Sequence, residues 1–82
     1  MLSDKVTPVI ARQVLWVFSD REHGQEPGGF FLSLLDAMCH ADPENMARLE
    51  LGFPGHTEAV LAAKYTTVGM DRLRVRAGEP DA

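Results

Sequence analysis

The sequence predicts an all-α protein, a small single domain built as a bundle of about three to five short helices. Three observations lead to this prediction. The chain has 82 residues, which is the length of one small domain. Its apolar residues recur mostly at helical spacing, and proline and glycine residues stand where helices are expected to begin and end.

The first predicted helix begins at Thr7 and Pro8. The threonine hydroxyl can cap a free amide there, and proline suits the first helical position. We expect this helix to run to about residue 22. Residues 14–18 ("VLWVF") place apolar side chains around nearly the whole cylinder, so a single buried face does not hide them all. The segment 13–19 also fits a β-strand, because short apolar runs are ambiguous by periodicity.

The second and third predicted helices carry most of the expected core. The loop "HGQEPGGF" (residues 23–30) leads into a helix over about residues 30–40, and Asp42 and Pro43 begin another that ends near Leu51. Gly52 is predicted to end this third helix in a left-handed conformation, and Pro54 prevents its continuation. The predicted core residues are Phe30, Phe31, Leu34, Leu35, Met38, Leu49 and Phe53.

The last third of the chain has a less regular apolar pattern. We expect a fourth helix that begins at Thr57 or in the turn before it and runs to about Thr66, with Leu61 and Tyr65 among its apolar positions. A fifth is expected over residues 70–75 after Gly69. Residues 7–77 then form a single helical domain. Residues 1–6 are expected to be a flexible N-terminal tail, and residues 78–82 a disordered C-terminal tail.

Charge is distributed unevenly along the chain. The formal net charge is −4, and up to residue 59 there are four basic residues against nine acidic ones. A net-acidic surface repels phosphate backbones, so nucleic acid is an unlikely main partner. The basic residues of the C-terminal part are the candidate contacts for an alternative function, that of a small DNA-associated regulator: Lys64, Arg72, Arg74 and Arg76.

The compartment is predicted from cysteine content and apolar runs. Cys39 is the only cysteine, so the chain forms no internal disulfide. The N-terminal residues lack the order of a signal peptide, and the longest unbroken apolar run is too short to span a bilayer. We therefore expect a soluble cytoplasmic protein without a membrane partner.

No residue pattern predicts catalysis, a metal site or a cofactor. Ser33, Asp36 and His40 share one face of the second helix, but a hydrolytic triad needs its base between nucleophile and carboxylate. Cys39 and His40 are sequence neighbours that diverge by about 100° on a helix, so a buried structural cysteine is favoured. The histidines lack the paired ligand spacing of zinc sites. The sequence thus predicts a protein that is not an enzyme.

The apolar excess of the first helix is the feature that indicates a site. Leu15, Trp16 and Phe18 are the candidate protein-interface residues, because exposed aromatic clusters often mark protein contacts. The partner is expected to be another protein or a second copy of the chain. The alternative is that neighbouring helices surround this helix and bury the excess.

Four short segments carry a resemblance: "PGGF" (27–30), "ADPEN" (41–45), "RLELGFP" (48–54) and "EAV" (58–60). Together they make residues 27–60 resemble small helical proteins of actinobacterial phages and prophage-like regions. The resemblance implies a small helical accessory protein, encoded by a phage, that acts in the bacterial host cytoplasm. It implies no site residues.

Overall fold

The computed structural model describes residues 1–81, and within them it contains five α-helices and no β-strand. The predicted all-α fold is confirmed. The helices are α1 (Pro8–Val17), α2 (Gly29–His40), α3 (Pro43–Gly52), α4 (Pro54–Tyr65) and α5 (Gly69–Ala77). The ambiguous segment is therefore helical as far as residue 17.

Helix α1 is enclosed by neighbouring helices, and α4 contacts all four other helices. Helix α1 contacts α2, α4 and α5, whereas α3 packs mainly on α4. Ala11, Val14 and Leu15 are fully buried, and Val9 is the only residue of α1 that is exposed. A helix enclosed by three others needs apolar residues on several faces. This enclosure explains the "VLWVF" excess.

The core differs in part from the predicted one. Three of the predicted core residues are buried: Leu34, Leu35 and Met38. Three others are partly buried and pack against the core: Phe31, Leu49 and Phe53. The prediction was wrong for Phe30, which is 64% exposed. Small and β-branched residues of other segments fill much of the core instead, because they allow the backbones to approach closely. They are Val6, Ala11, Val14, Ala59, Val60 and Ala77, together with Leu15 and Leu73.

Helix α1 ends at Val17, five residues before the predicted end. Ser19 has a left-handed φ of 74°, its amide bonds the Trp16 carbonyl, and the Asp20 amide bonds the Leu15 carbonyl. These two bonds form a Schellman motif, which usually has glycine at the left-handed position. A serine in that role gives little sequence signal, so the helix end was missed.

A single residue, Phe53, separates α3 from α4. Gly52 is the last residue of α3, and it does not adopt the predicted left-handed conformation. Pro54 begins α4, in the turn before Thr57, because proline is well suited to the first helical position. Of the two predicted starts, the earlier one is observed. The Thr57 hydroxyl lies in the first turn and donates to the carbonyls of Phe53 and Pro54.

The N-terminal segment is packed against the domain, contrary to the predicted flexible tail over residues 1–6. Val6 is fully buried, and the Arg76 guanidinium donates to the carbonyls of Ser3 and Val6. The Ser3 amide and hydroxyl both donate to the Glu58 carboxylate. These polar contacts hold the backbone of the N-terminal segment in place. The spacing of apolar residues gives no indication of such contacts.

The C-terminal segment is also in contact with α1. Arg12 donates to the carbonyls of Ala77 and Glu79 and forms an ion pair with Asp81 at 3.1 Å. Residues 78–81 of the predicted disordered tail therefore lie against the domain, while Ala82 lies outside the described residues.

We predict that Ser19→Gly raises the free energy of unfolding by about 0.5–1 kcal/mol, because glycine adopts the left-handed conformation without steric cost. Ser33→Gly is the matched control. Ser33 is exposed within α2, where glycine lowers stability by roughly 0.5 kcal/mol. Urea unfolding of both variants measures the difference. A destabilised Ser19→Gly protein would contradict this description of the helix end.

Candidate functional site

The three predicted interface residues occupy different environments. Leu15 is fully buried, so its assignment to a contact surface is corrected: it is a core residue. Phe18 is partly buried and packs against the core. Trp16 is partly exposed, and the Arg21 guanidinium carbon lies 3.9 Å from the centre of its ring. Trp16 and Phe18, both partly exposed, remain surface candidates, and Trp16 forms a cation–π pair with Arg21 of its own chain.

Two of the predicted DNA-contacting residues instead join segments of the fold. Arg74 donates through Nε to Oδ2 of Asp20 at 2.6 Å, which ties α5 to the loop after α1. This bond and the His23 backbone amide lower the pKa of Asp20 from 3.8 to about 2. Arg76 binds the N-terminal segment and forms an ion pair with Glu79 at 3.2 Å.

The other two members of the basic cluster are exposed. The Lys64 ammonium donates to the Cys39 carbonyl at 2.7 Å, at the end of α2. Arg72 is exposed on α5. Because Arg74 and Arg76 form intramolecular ion pairs with acidic residues, the arrangement gives the DNA alternative no support.

His56 joins three helices inside the domain. It lies in the first turn of α4, its ring stacks on Phe31 with centroids 4.8 Å apart, and its Nε2 is 3.0 Å from Oε1 of Gln13. An amide oxygen accepts hydrogen bonds, so Nε2 carries the proton in the neutral ring. Burial lowers the pKa of His56 below its ordinary value of 6.5, since the charged form loses hydration.

The groups that bear on catalysis do not assemble into a reactive site. Burial raises the pKa of the Cys39 thiol, which disfavours the thiolate needed for nucleophilic attack. The His40 Nδ1 lies 2.8 Å from the backbone carbonyl of Asp36, so it bonds its own helix. Among residues 1–81, no three His, Cys, Asp or Glu side chains cluster as a metal site requires.

An apolar groove lies between the end of α2 and the helices α3 and α4. It encloses about 330 Å³, which is at the small end of the range for ligand pockets. We call it the α3–α4 groove. Its lining residues are Met38 and Ala41 near the end of α2, Pro43, Met46, Ala47 and Glu50 on α3, and Thr57, Leu61, Lys64 and Tyr65 on α4.

The groove exists because α3 is held outside the central bundle. Phe53 allows only a sharp reversal between α3 and α4, and Met46 is the only buried residue of α3. The outer side of α4 is therefore covered by α3 along one edge only. Leu61 and Tyr65 remain 40% and 70% exposed there.

The floor and the edges of the α3–α4 groove differ in chemistry. Met38 and Met46 are buried beneath it, and methionine is a flexible side chain that adapts to different contact surfaces. Glu50 and Lys64 are the charged lining residues, one on each wall. The Lys64 ammonium lies 5.3 Å from the centre of the Tyr65 ring. The Thr57 hydroxyl is bonded to backbone carbonyls, so it is not placed to act on a ligand.

Sequence reasoning did not identify this groove. It placed Met38 in the core and treated Leu61 and Tyr65 as part of the apolar pattern of one helix. The available signal was their spacing of four residues, which puts both on a stripe separate from the buried Ala59 and Val60.

None of the helices in the described part of the chain is long and apolar enough to cross a membrane.

We predict that acidification selectively destabilises the domain through His56. Because the pKa of His56 is lowered by folding, its neutral form contributes full stability above pH 6.5, and this contribution falls as the pH drops below that value. His56→Gln removes the titrating group. Urea unfolding across this pH range should therefore show wild type losing stability relative to the variant, whereas parallel pH profiles would contradict the prediction.

No family model matches this chain, and none of the curated proteins or solved structures is significantly similar to it. The α3–α4 groove is therefore the feature from which the function is inferred.

Proposed function

We propose that this chain is a non-enzymatic protein-interaction domain that binds an apolar helix of a protein partner in the α3–α4 groove. The observation that carries the proposal is the combination of a methionine floor with exposed Leu61 and Tyr65 at the edge. Tyrosine and methionine are both enriched at protein interfaces.

The shape of the groove favours a helix as the bound element. Two helices, α3 and α4, form its walls, and an amphipathic helix commonly lays its apolar face into such a surface. The side chains at i, i+3 or i+4, and i+7 of the bound helix would cover Leu61 and contact the methionines. Burial of this apolar surface supplies the driving force.

The proposal moves the contact surface from α1 to the groove. Enclosure of α1 accounts for Leu15, Phe18 packs in part against the core, and Trp16 already stacks with Arg21. The resemblance of residues 27–60 to small phage and prophage proteins supports the role of an accessory factor in a bacterial host. A host protein and a second copy of the chain are both partners of the kind that this groove accepts.

The test is a titration with synthetic peptides, followed by amide chemical shifts in ¹H–¹⁵N spectra. One peptide is an amphipathic helix with leucine along a single face, and the matched control has the same composition with the leucines distributed around the helix. We expect the amphipathic peptide to shift the amides of Met46, Ala47, Leu61 and Tyr65, and the control peptide to leave them unchanged.

Two variants of the protein sharpen this titration. Leu61→Glu puts a charge against the bound apolar face and should weaken peptide binding at least about tenfold. Val75→Glu introduces the same charge on α5, where Val75 is exposed and does not line the groove, and should leave binding unchanged. Equal binding by both variants, or shifts outside the groove, would contradict the proposed function.

A further inference from the structure

The two charged residues of the α3–α4 groove lie at opposite ends of it. Glu50 lies near the end of α3 and Thr57 near the start of α4, so both flank the closed end where α3 and α4 join. Lys64 lies at the open end, where its ammonium bonds the Cys39 carbonyl of α2. The seven residues from Thr57 to Lys64 correspond to a separation of about 10 Å along the helix.

This arrangement is complementary to itself. In a two-fold symmetric interface the same patch is used by both copies, and each contact occurs twice. A two-fold axis through the middle of the groove exchanges its ends, which brings Glu50 of each copy opposite Lys64 of the other. A second copy carries the complementary charges in the order that this groove requires, whereas an unrelated partner would carry them only by coincidence.

The apolar residues fit the same symmetry. Leu61 lies midway between Thr57 and Lys64 on the groove wall, which is the position nearest such an axis. Leu61 of one copy would therefore pack on Leu61 of the other. Tyr65, at the open end, would lie over the closed end of the other copy, beside its Thr57.

We propose that the helix that occupies the α3–α4 groove is α4 of a second copy of this chain, packed about a two-fold axis near Leu61, with Glu50 and Lys64 paired across the interface. The inference rests on the proposed function and names its partner. The groove encloses only about 330 Å³, and each chain carries a net charge of −4, which opposes association. The copies therefore exchange between monomer and dimer rather than forming an obligate dimer.

A charge-exchange cycle measured by sedimentation equilibrium tests this proposal. Lys64→Glu and Glu50→Lys each place like charges opposite each other twice, and each should lower the association constant about tenfold. The double variant restores opposite charges in reversed order and should return the association constant to near that of the wild type. A contact in which Glu50 and Lys64 are not paired between copies would not show this restoration.

Controls separate the interface from other effects. Arg72→Glu changes the net charge as Lys64→Glu does, but Arg72 is exposed on α5 outside the groove, so the association constant should stay unchanged. The hydrogen bond from Lys64 to Cys39 is absent in both Lys64→Glu and the double variant. Loss of that bond alone would leave the double variant as weak as the single one.

The possible outcomes distinguish failure of the self-association from failure of the proposed function. A wild-type chain that is monomeric throughout, or a double variant as weak as either single variant, overturns the self-association. If the amphipathic peptide still shifts the groove amides in that case, the proposed function stands with a different partner. If neither a dimer nor peptide binding is found, both proposals fail.

Discussion

Enclosure of α1 is the constraint on which the rest of the structure depends. With Ala11, Val14 and Leu15 fully buried, three other helices are needed around it, and α2, α4 and α5 take these places. The single-residue link at Phe53 then leaves α3 packed mainly on α4, outside the central group. The apolar groove on the outer side of α4 follows from this arrangement, because α3 covers only one edge.

Polar contacts fix the segments that apolar packing leaves undetermined. Arg76 holds the backbone of the N-terminal segment, Arg74 holds the loop after α1 through Asp20, and Gln13 bonds His56 between α1 and α4. These contacts join residues far apart in sequence, and buried polar groups require such partners. The C-terminal excess of cations, which suggested nucleic acid, therefore has a structural use in an acidic protein.

Local sequence chemistry predicted much of the fold. Thr7 and Asp42 are N-caps as predicted, because their side chains accept hydrogen bonds from the amides of Ile10 and Asn45. The all-α class and the range of three to five helices were also predicted. The left-handed Ser19 was missed, because a Schellman motif without glycine gives little local signal. The start of α4 was predicted only as Thr57 or the turn before it, and the structure places it at Pro54. The groove was missed for a different reason: it depends on which helix surrounds which, and that is a tertiary property that helical periodicity does not contain.

In the proposed function the α3–α4 groove, rather than α1, is the surface that binds other proteins. The most direct measurement is the concentration dependence of amide chemical shifts in ¹H–¹⁵N spectra of the wild-type chain on serial dilution. We expect the shifts to change at Met46, Glu50, Leu61 and Tyr65, and to stay constant at Val9, Trp16 and Arg21. Changes confined to Val9, Trp16 and Arg21 would return the contact surface to α1 and contradict the account.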